Sequence, residues 1–256
     1  MQGALVLLAA LILTVTGAAH VLPGPLRLAD TFSHIAKDLD HINLGKCSLE
    51  GITLPLNKTK VKLPKPSSHL DLKHVVIGRG TQNYTCPSSG MSTKLRRDTS
   101  PEATGAAAAL FDASCIAAAS PNILHELPAV LGKAPLGSLV FLSEILSRTT
   151  TTSELIIGEH YFNSDGEPLF NLGLSDGDSW LIAKKNSSVE APTRVTSPSR
   201  ESNIQDVPWL KLGYNKGKGL KEVYRVMTFE GAAPSTCEGQ NGTIVVDYAA
   251  EYWFYG

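Results

Sequence analysis

The sequence predicts an all-β fold, an antiparallel β-sandwich or barrel with long loops and short helical segments near the N-terminus and within 121–147. Three observations carry that expectation. Short segments rich in Val, Ile, Thr and aromatic residues alternate apolar with polar positions, the period of a half-buried strand. Asp-Gly pairs at 165–166 and 176–177 separate such segments, as hairpin turns do, because glycine accepts the positive φ they demand. Many short strands with turns at regular intervals suit a sandwich or barrel.

The elements follow in order. Residues 1–19, MQGALVLLAALILTVTGAA, contain an apolar run over 4–15 and small residues at Gly17 and Ala19 that suit signal-peptidase cleavage. A secretory signal peptide is expected. No lysine precedes the run, which leaves a membrane anchor as the alternative, but the run is shorter than the roughly 20 residues that span a bilayer. Residues 20–63 form an N-terminal arm in which Leu28, Phe32, Ile35, Leu39 and Ile42 mark one face of a short amphipathic helix. A propeptide or packed arm explains that helix as well as a function does. Over 54–72, prolines and the alternation of Val61 and Leu63 with lysines indicate an edge strand or an extended arm. A single β domain is expected over 64–256.

Within it, HVVIGRGTQNYTC at 74–86 runs from an apolar strand into Gly78-Arg79-Gly80, as a strand enters a nucleotide-binding turn. A dinucleotide loop needs a third glycine and a following helix whose free amides meet the pyrophosphate. Here Asn83 occupies the third position and the β pattern continues to Cys86. The glycines are therefore expected to form a bulge or tight bend between strand segments, and no cofactor is expected. Residues 87–105 read as a polar loop containing Arg96-Arg97, a dibasic pair that is either a processing site or simply solvated. AAAALFDASC gives a short apolar segment ending near Asp112. Pro128 and Pro135 break helix-like spacing over 121–146, predicting a loop with one or two short helices. From Ile156 onward the pattern is β, interrupted by a Ser/Pro-rich surface loop at 186–204.

Composition excludes some functions. Lys+Arg number 23 and Asp+Glu 24, and they are interspersed; no basic stripe is present to attract nucleic acid or anionic lipid. Four Asn-x-Ser/Thr triplets, beginning at Asn57, Asn83, Asn186 and Asn241, become glycosylation sites if the chain is exported. Cys47, Cys86, Cys115 and Cys237 are an even set compatible with two disulfides in an oxidising route. None forms a C-x-x-C pair, so no zinc site is expected.

The ordered set VVIGRGTQNYTC, AALFDASC, GEHYF, VPWLKL, GLKEVYRVMTFEGAAPSTC and VDYAAEYWFY resembles an uncharacterised secreted family of fungi and bacteria, a domain of unknown function, from about residue 64 to the C-terminus. Its fungal members often carry a malate dehydrogenase label. The residues do not support that label: there is no dinucleotide fingerprint, no strand–helix alternation and no Arg/Asp/His set placed for a hydroxy acid. In shorter bacterial relatives the cysteines matching Cys86 and Cys237 occur without the other two. The resemblance thus implies bridges Cys86–Cys237 and Cys47–Cys115, each worth roughly 4 to 5 kcal/mol by chain entropy. The family usually has Arg-Val-Asn-Thr and paired glycines where this chain has Arg225-Val226-Met227-Thr228 and Ala232. Any contact the carboxamide makes is lost here.

Several residues are candidates for chemistry. His160, in GEHYF beside Glu159, is the best-placed histidine for acid–base work; the competing reading is a histidine satisfied by hydrogen bonds inside a barrel. Arg79, Gln82 and Tyr84 offer planar hydrogen bonds and a stacking face to a ligand groove, although cross-strand pairs use the same residue types. Trp209 and the terminal Tyr248, Tyr252, Trp253, Phe254 and Tyr255 suit either a carbohydrate platform or core packing. Asp165, Glu167, Asp176 and Asp178 are explained by turn chemistry rather than as glycosidase acids. His125-Glu126 is no metalloprotease motif, because Ala129 stands where the second histidine is required.

The expected function is therefore a non-enzymatic, extracellular, glycosylated and disulfide-linked β domain that binds a small molecule, a cell-wall polymer or a protein. The alternatives are a secreted enzyme of unknown reaction using His160 or Arg225 in an internal cleft, and a structural cell-wall protein. Convergence of His160 and Arg225 in one solvent-open pocket favours the enzyme, and separate burial counts against it. Neither metal, nucleic acid nor, after signal cleavage, membrane is an expected partner.

Overall fold

The structure is a computed structural model that describes residues 37, 42, 47–86, 98–149, 154–174, 178–192, 205–240 and 242–256. The predicted signal peptide, most of the N-terminal helix, Arg96-Arg97, the Asp176-Gly177 pair, most of the 186–204 loop and Asn241 lie outside the described residues. Eight strands close into an antiparallel barrel: β1 Leu72–Cys86, β2 Glu102–Asp112, β3 Ile156–Phe162, β4 Pro168–Asn171, β5 Trp180–Val189, β6 Trp209–Lys218, β7 Glu222–Glu230 and β8 Gly242–Tyr255. Each pairs with its neighbours in sequence, and β1 pairs with β8. Closure gives every strand two partners and leaves no bare edge. Three helices, α1 Ser114–Ala119, α2 Pro121–Leu131 and α3 Leu136–Thr149, are inserted between β2 and β3.

Strand β8 shows how alternation builds two cores. Tyr248, Ala250, Tyr252 and Phe254 face the barrel interior with Val76, Leu110 and Phe170. Trp253 and Tyr255 face outward, where α1, α2 and the N-terminal arm cover them with Ile116, Leu124 and Leu63. Both sides being covered, 248–255 reads as one buried run, whereas the strand's first half alternates.

The segment Gly78-Arg79-Gly80 corrects the expectation of a bulge or bend. It runs unbroken through β1, and the register shifts instead at Asn83/Tyr84 and Leu72/His74. A Cβ on Gly80 would fall on the Ala107 carbonyl, and one on Gly78 on the Tyr252 ring. These glycines let neighbouring groups approach closely.

The stretch around Pro128 is more regular than expected. Pro128 lies inside α2, which continues through it; burial of Leu124 and Leu127 against the barrel wall outweighs the missing amide, since packing decides most helical stability. The Asp165-Gly166 turn is formed as expected: Gly166 has φ +73°, and the Asn163 carboxamide accepts from the amides of Asp165 and Glu167.

Segment 54–72 is an extended arm with one 3₁₀ turn at Leu56–Lys58. It is fastened to the outside of the barrel where Tyr224 donates to the Pro64 carbonyl (2.9 Å) and Lys211 to the Lys65 carbonyl (2.9 Å). Disulfides join Cys47 to Cys115 and Cys86 to Cys237, the pairing implied by the resemblance. The first ties the arm to α1 and the second lies beside the end of β1. Among the described residues, no helix is long and apolar enough to cross a membrane.

Candidate functional site

The barrel interior has two halves. At the end where β1 begins and β8 finishes, Val76, Leu172, Leu181, Val223 and Phe254 are apolar and fully buried. Toward the other end the same inward-facing positions turn polar. Gln82 and Tyr84 follow Gly78 and Gly80 at steps of two on β1, so all face inward. His160 is reached from Gly80 across the sheet through Ala108, and Tyr248 is paired with Gly80 on the other side. Arg225, two residues beyond the inward-facing Val223, is paired with Tyr252.

The histidine ring stacks on Phe170 with centroids 4.1 Å apart and planes 8° from parallel. Its Nδ1 lies 2.9 Å from the Leu169 carbonyl. Since a carbonyl only accepts, Nδ1 carries the hydrogen and Nε2 is the acceptor of the neutral ring. Burial lowers the His160 pKa to about 4, opposed by the Leu169 hydrogen bond and reinforced by Arg225. The ring is thus neutral at ordinary pH.

The tyrosine hydroxyls of Tyr248 and Tyr252 are 2.9 Å apart, and burial raises both pKa values. Tyr84 donates to the Gly231 carbonyl at 2.7 Å, and burial raises its pKa while Arg225 lowers it. Arg225 Nη2 donates to the Pro208 carbonyl at 3.0 Å, and the guanidinium lies beside the Tyr252 hydroxyl. Its Nε has no hydrogen-bond partner, nor has Gln82 Nε2, although that amide neighbours the Tyr248 hydroxyl. Among the described residues, no carboxylate lies within ion-pair distance of Arg225.

The structure therefore brings together His160, Arg225, Gln82 and Tyr84, and adds Tyr248 and Tyr252 to them. Arg79 lies apart. It points out of the barrel, and its guanidinium bonds Asp247 (3.0 Å) and the carbonyls of Leu131 (3.2 Å) and Ala134 (3.1 Å) at the end of α2. Trp209 is also on the outer side, buried with Trp253 and Tyr224. Asp165 and Glu167 sit in the β3–β4 turn, and Asp178 pairs with Lys218. Asn57 and Asn186 are exposed, while Asn83 is half-buried in β1.

One polar cluster was not anticipated. Glu251, fully buried on the outer face, lies 2.7 Å from His125 Nδ1 and accepts from Trp253 Nε1 at 2.9 Å. Burial raises its pKa, and the bonds from His125 and Trp253 oppose the rise. The partners are far apart in sequence, so only the period-two alternation of β8, which puts Glu251 on the face of Trp253, hints at it. The cluster fixes α2 to the barrel wall. Among the described residues, no group of three or more His, Cys, Asp or Glu side chains is placed to hold a metal ion.

The fold and interior define a class: closed antiparallel barrels, stapled by disulfides, whose inner wall is apolar at one end and polar at the other. Over residues 66–256 the chain matches the family described as Protein of unknown function (DUF3455). It belongs to that family. No curated protein and no solved structure matches the chain.

Proposed function

We propose that this is an extracellular binding protein that takes a small molecule into the polar half of its barrel. One observation carries this reading: a group of hydrogen-bonding side chains faces the barrel interior, and two of its donors are unpartnered. Gln82, Tyr84 and Arg225 each keep 9% of their surface exposed, while Tyr248 and Tyr252 of the same group keep 0% and 1%. Buried polar atoms are nearly always satisfied by protein, water or ligand, and concave sites with a few convergent polar groups are where small ligands bind. The two disulfides and the leader-like residues 1–19 support export.

Convergence of His160 and Arg225 also favours a second reading, a secreted enzyme. The described bonds give His160 a backbone carbonyl and ring neighbours, with neither a nucleophile nor an orienting acid, and general acid–base chemistry needs such partners. Binding is accordingly the better-supported function.

The test is a panel of neutral, anionic and cationic small molecules added to the disulfide-intact protein. The expected result is a rise in Tm together with movement of the His160 ring resonances for at least one class. A panel that leaves both unmoved overturns the binding reading. Export is tested by sequencing the N-terminus of protein recovered from the medium, which should begin after Ala19; a product retaining residues 1–19 contradicts it.

A further inference from the structure

We infer that the ligand of the barrel interior is a small organic anion, and that its carboxylate is held by Arg225 and Gln82. This inference rests on the binding reading above and adds the sign of the charge. An arginine side chain cannot shed its proton in a protein, and taking an unpaired charge out of water is costly. The other buried charged groups face outward and are paired: Arg79 with Asp247, Lys211 with Glu222, Glu251 with His125. Arg225 is the exception, since its described neighbours inside the barrel are a carbonyl, tyrosine hydroxyls and a neutral imidazole.

The unsatisfied atoms that face the interior give the same sign. Arg225 Nε and Gln82 Nε2 are both N–H donors, and both are buried without an acceptor. His160 Nε2 adds one acceptor to the site, but its two buried unsatisfied atoms are donors, one of them on a fixed positive charge, and that arrangement complements a carboxylate. The rest of the molecule would meet Phe170, Tyr252 and Phe162, whose rings lie 4.1, 5.9 and 5.8 Å from that of His160. Phe162, on the same face of β3 two residues beyond His160, is 37% exposed, which puts a flat apolar surface next to solvent. An anion with a planar or ring-shaped body fits that lining better than a compact inorganic one.

Benzoate and its neutral isostere benzamide separate the possibilities, titrated into the purified full-length protein with His160 and tyrosine resonances as site reporters. Benzoate should bind at least tenfold more tightly than benzamide and move the His160 ring. Phosphate should not displace it. In Arg225→Met the preference for benzoate should vanish, and in Gln82→Leu it should shrink severalfold; circular dichroism and unliganded Tm report whether either variant keeps its fold. Equal affinity for the two probes, or a benzoate preference that survives Arg225→Met, overturns the anion inference while leaving interior binding in place. Failure of both probes and of the wider panel to reach His160 overturns the two together.

Discussion

Both sides of the barrel wall bury an arginine, and they satisfy it in opposite ways. Outside, Arg79 meets a carboxylate and two carbonyls from the end of α2. Inside, Arg225 meets one carbonyl and uncharged rings, and keeps an N–H unspent. The same residue type is thus structural on one face and poised on the other. The difference follows from what surrounds each face: helices and loops that can bring their own carbonyls, or an interior lined by uncharged side chains. Stability should reside in the outer contacts and responsiveness in the inner ones.

That contrast can be broken by mutation. The largest effect is expected at the outer face, where Trp253→Ala removes a buried indole and the donor to Glu251; it should lower the unfolding free energy by about 4 kcal/mol, measured by urea denaturation with disulfides intact. A loss under half of that would mean that the helix-covered layer does not carry the fold. Next comes pH. Unfolded His160 titrates near 6.5 and folded His160 near 4, so the unfolded chain takes up its proton first as pH falls. The contribution is fully present above 6.5 and is lost as pH falls through 4, amounting to about 3 kcal/mol. Glu251 acts in the opposite direction, because its raised pKa gives stability that is lost as pH rises. It cancels when wild type is compared with His160→Phe, and a flat difference between them from pH 7 to 4 would refute the assignment.

The two arginines supply the smaller effects. Arg79→Met removes a donor from three carbonyls, those of Gly80, Leu131 and Ala134, and should cost about 2 kcal/mol, the exposure of Asp247 limiting the ionic part. Arg225→Met should change unliganded stability by less than about 1 kcal/mol, or raise it, because an uncompensated buried cation is removed. Equal losses at the two sites would erase the distinction between the faces.

Much of this could be read from the chain. Period-two alternation exposed the strands, and Asp165-Gly166 marked a real hairpin. The pattern pairs His160 with Arg225 and, apart from them, Gln82 with Tyr84; the four share the interior, although nothing local says that the two pairs meet. Parity could have done more. Arg79 is an odd number of positions from Gln82, so a regular strand sends the two to opposite faces; grouping them ignored that period. Closure was illegible because pairing of β1 with β8 is non-local, and so was the role of Gly78 and Gly80, which depends on Tyr252 and the β2 backbone. His125 and Glu251 meet only because α2 folds back over the wall.

The β1–β8 ladder, which joins residues such as Val75 and Trp253, has a consequence for synthesis. Until the final strand is made, β1 and β7 are both raw margins of an open sheet, inviting mispairing with other chains. The barrel therefore cannot close before its last strand is present, and a shortening within β8 should leave the facing stretches of β1 and β7 without their partner.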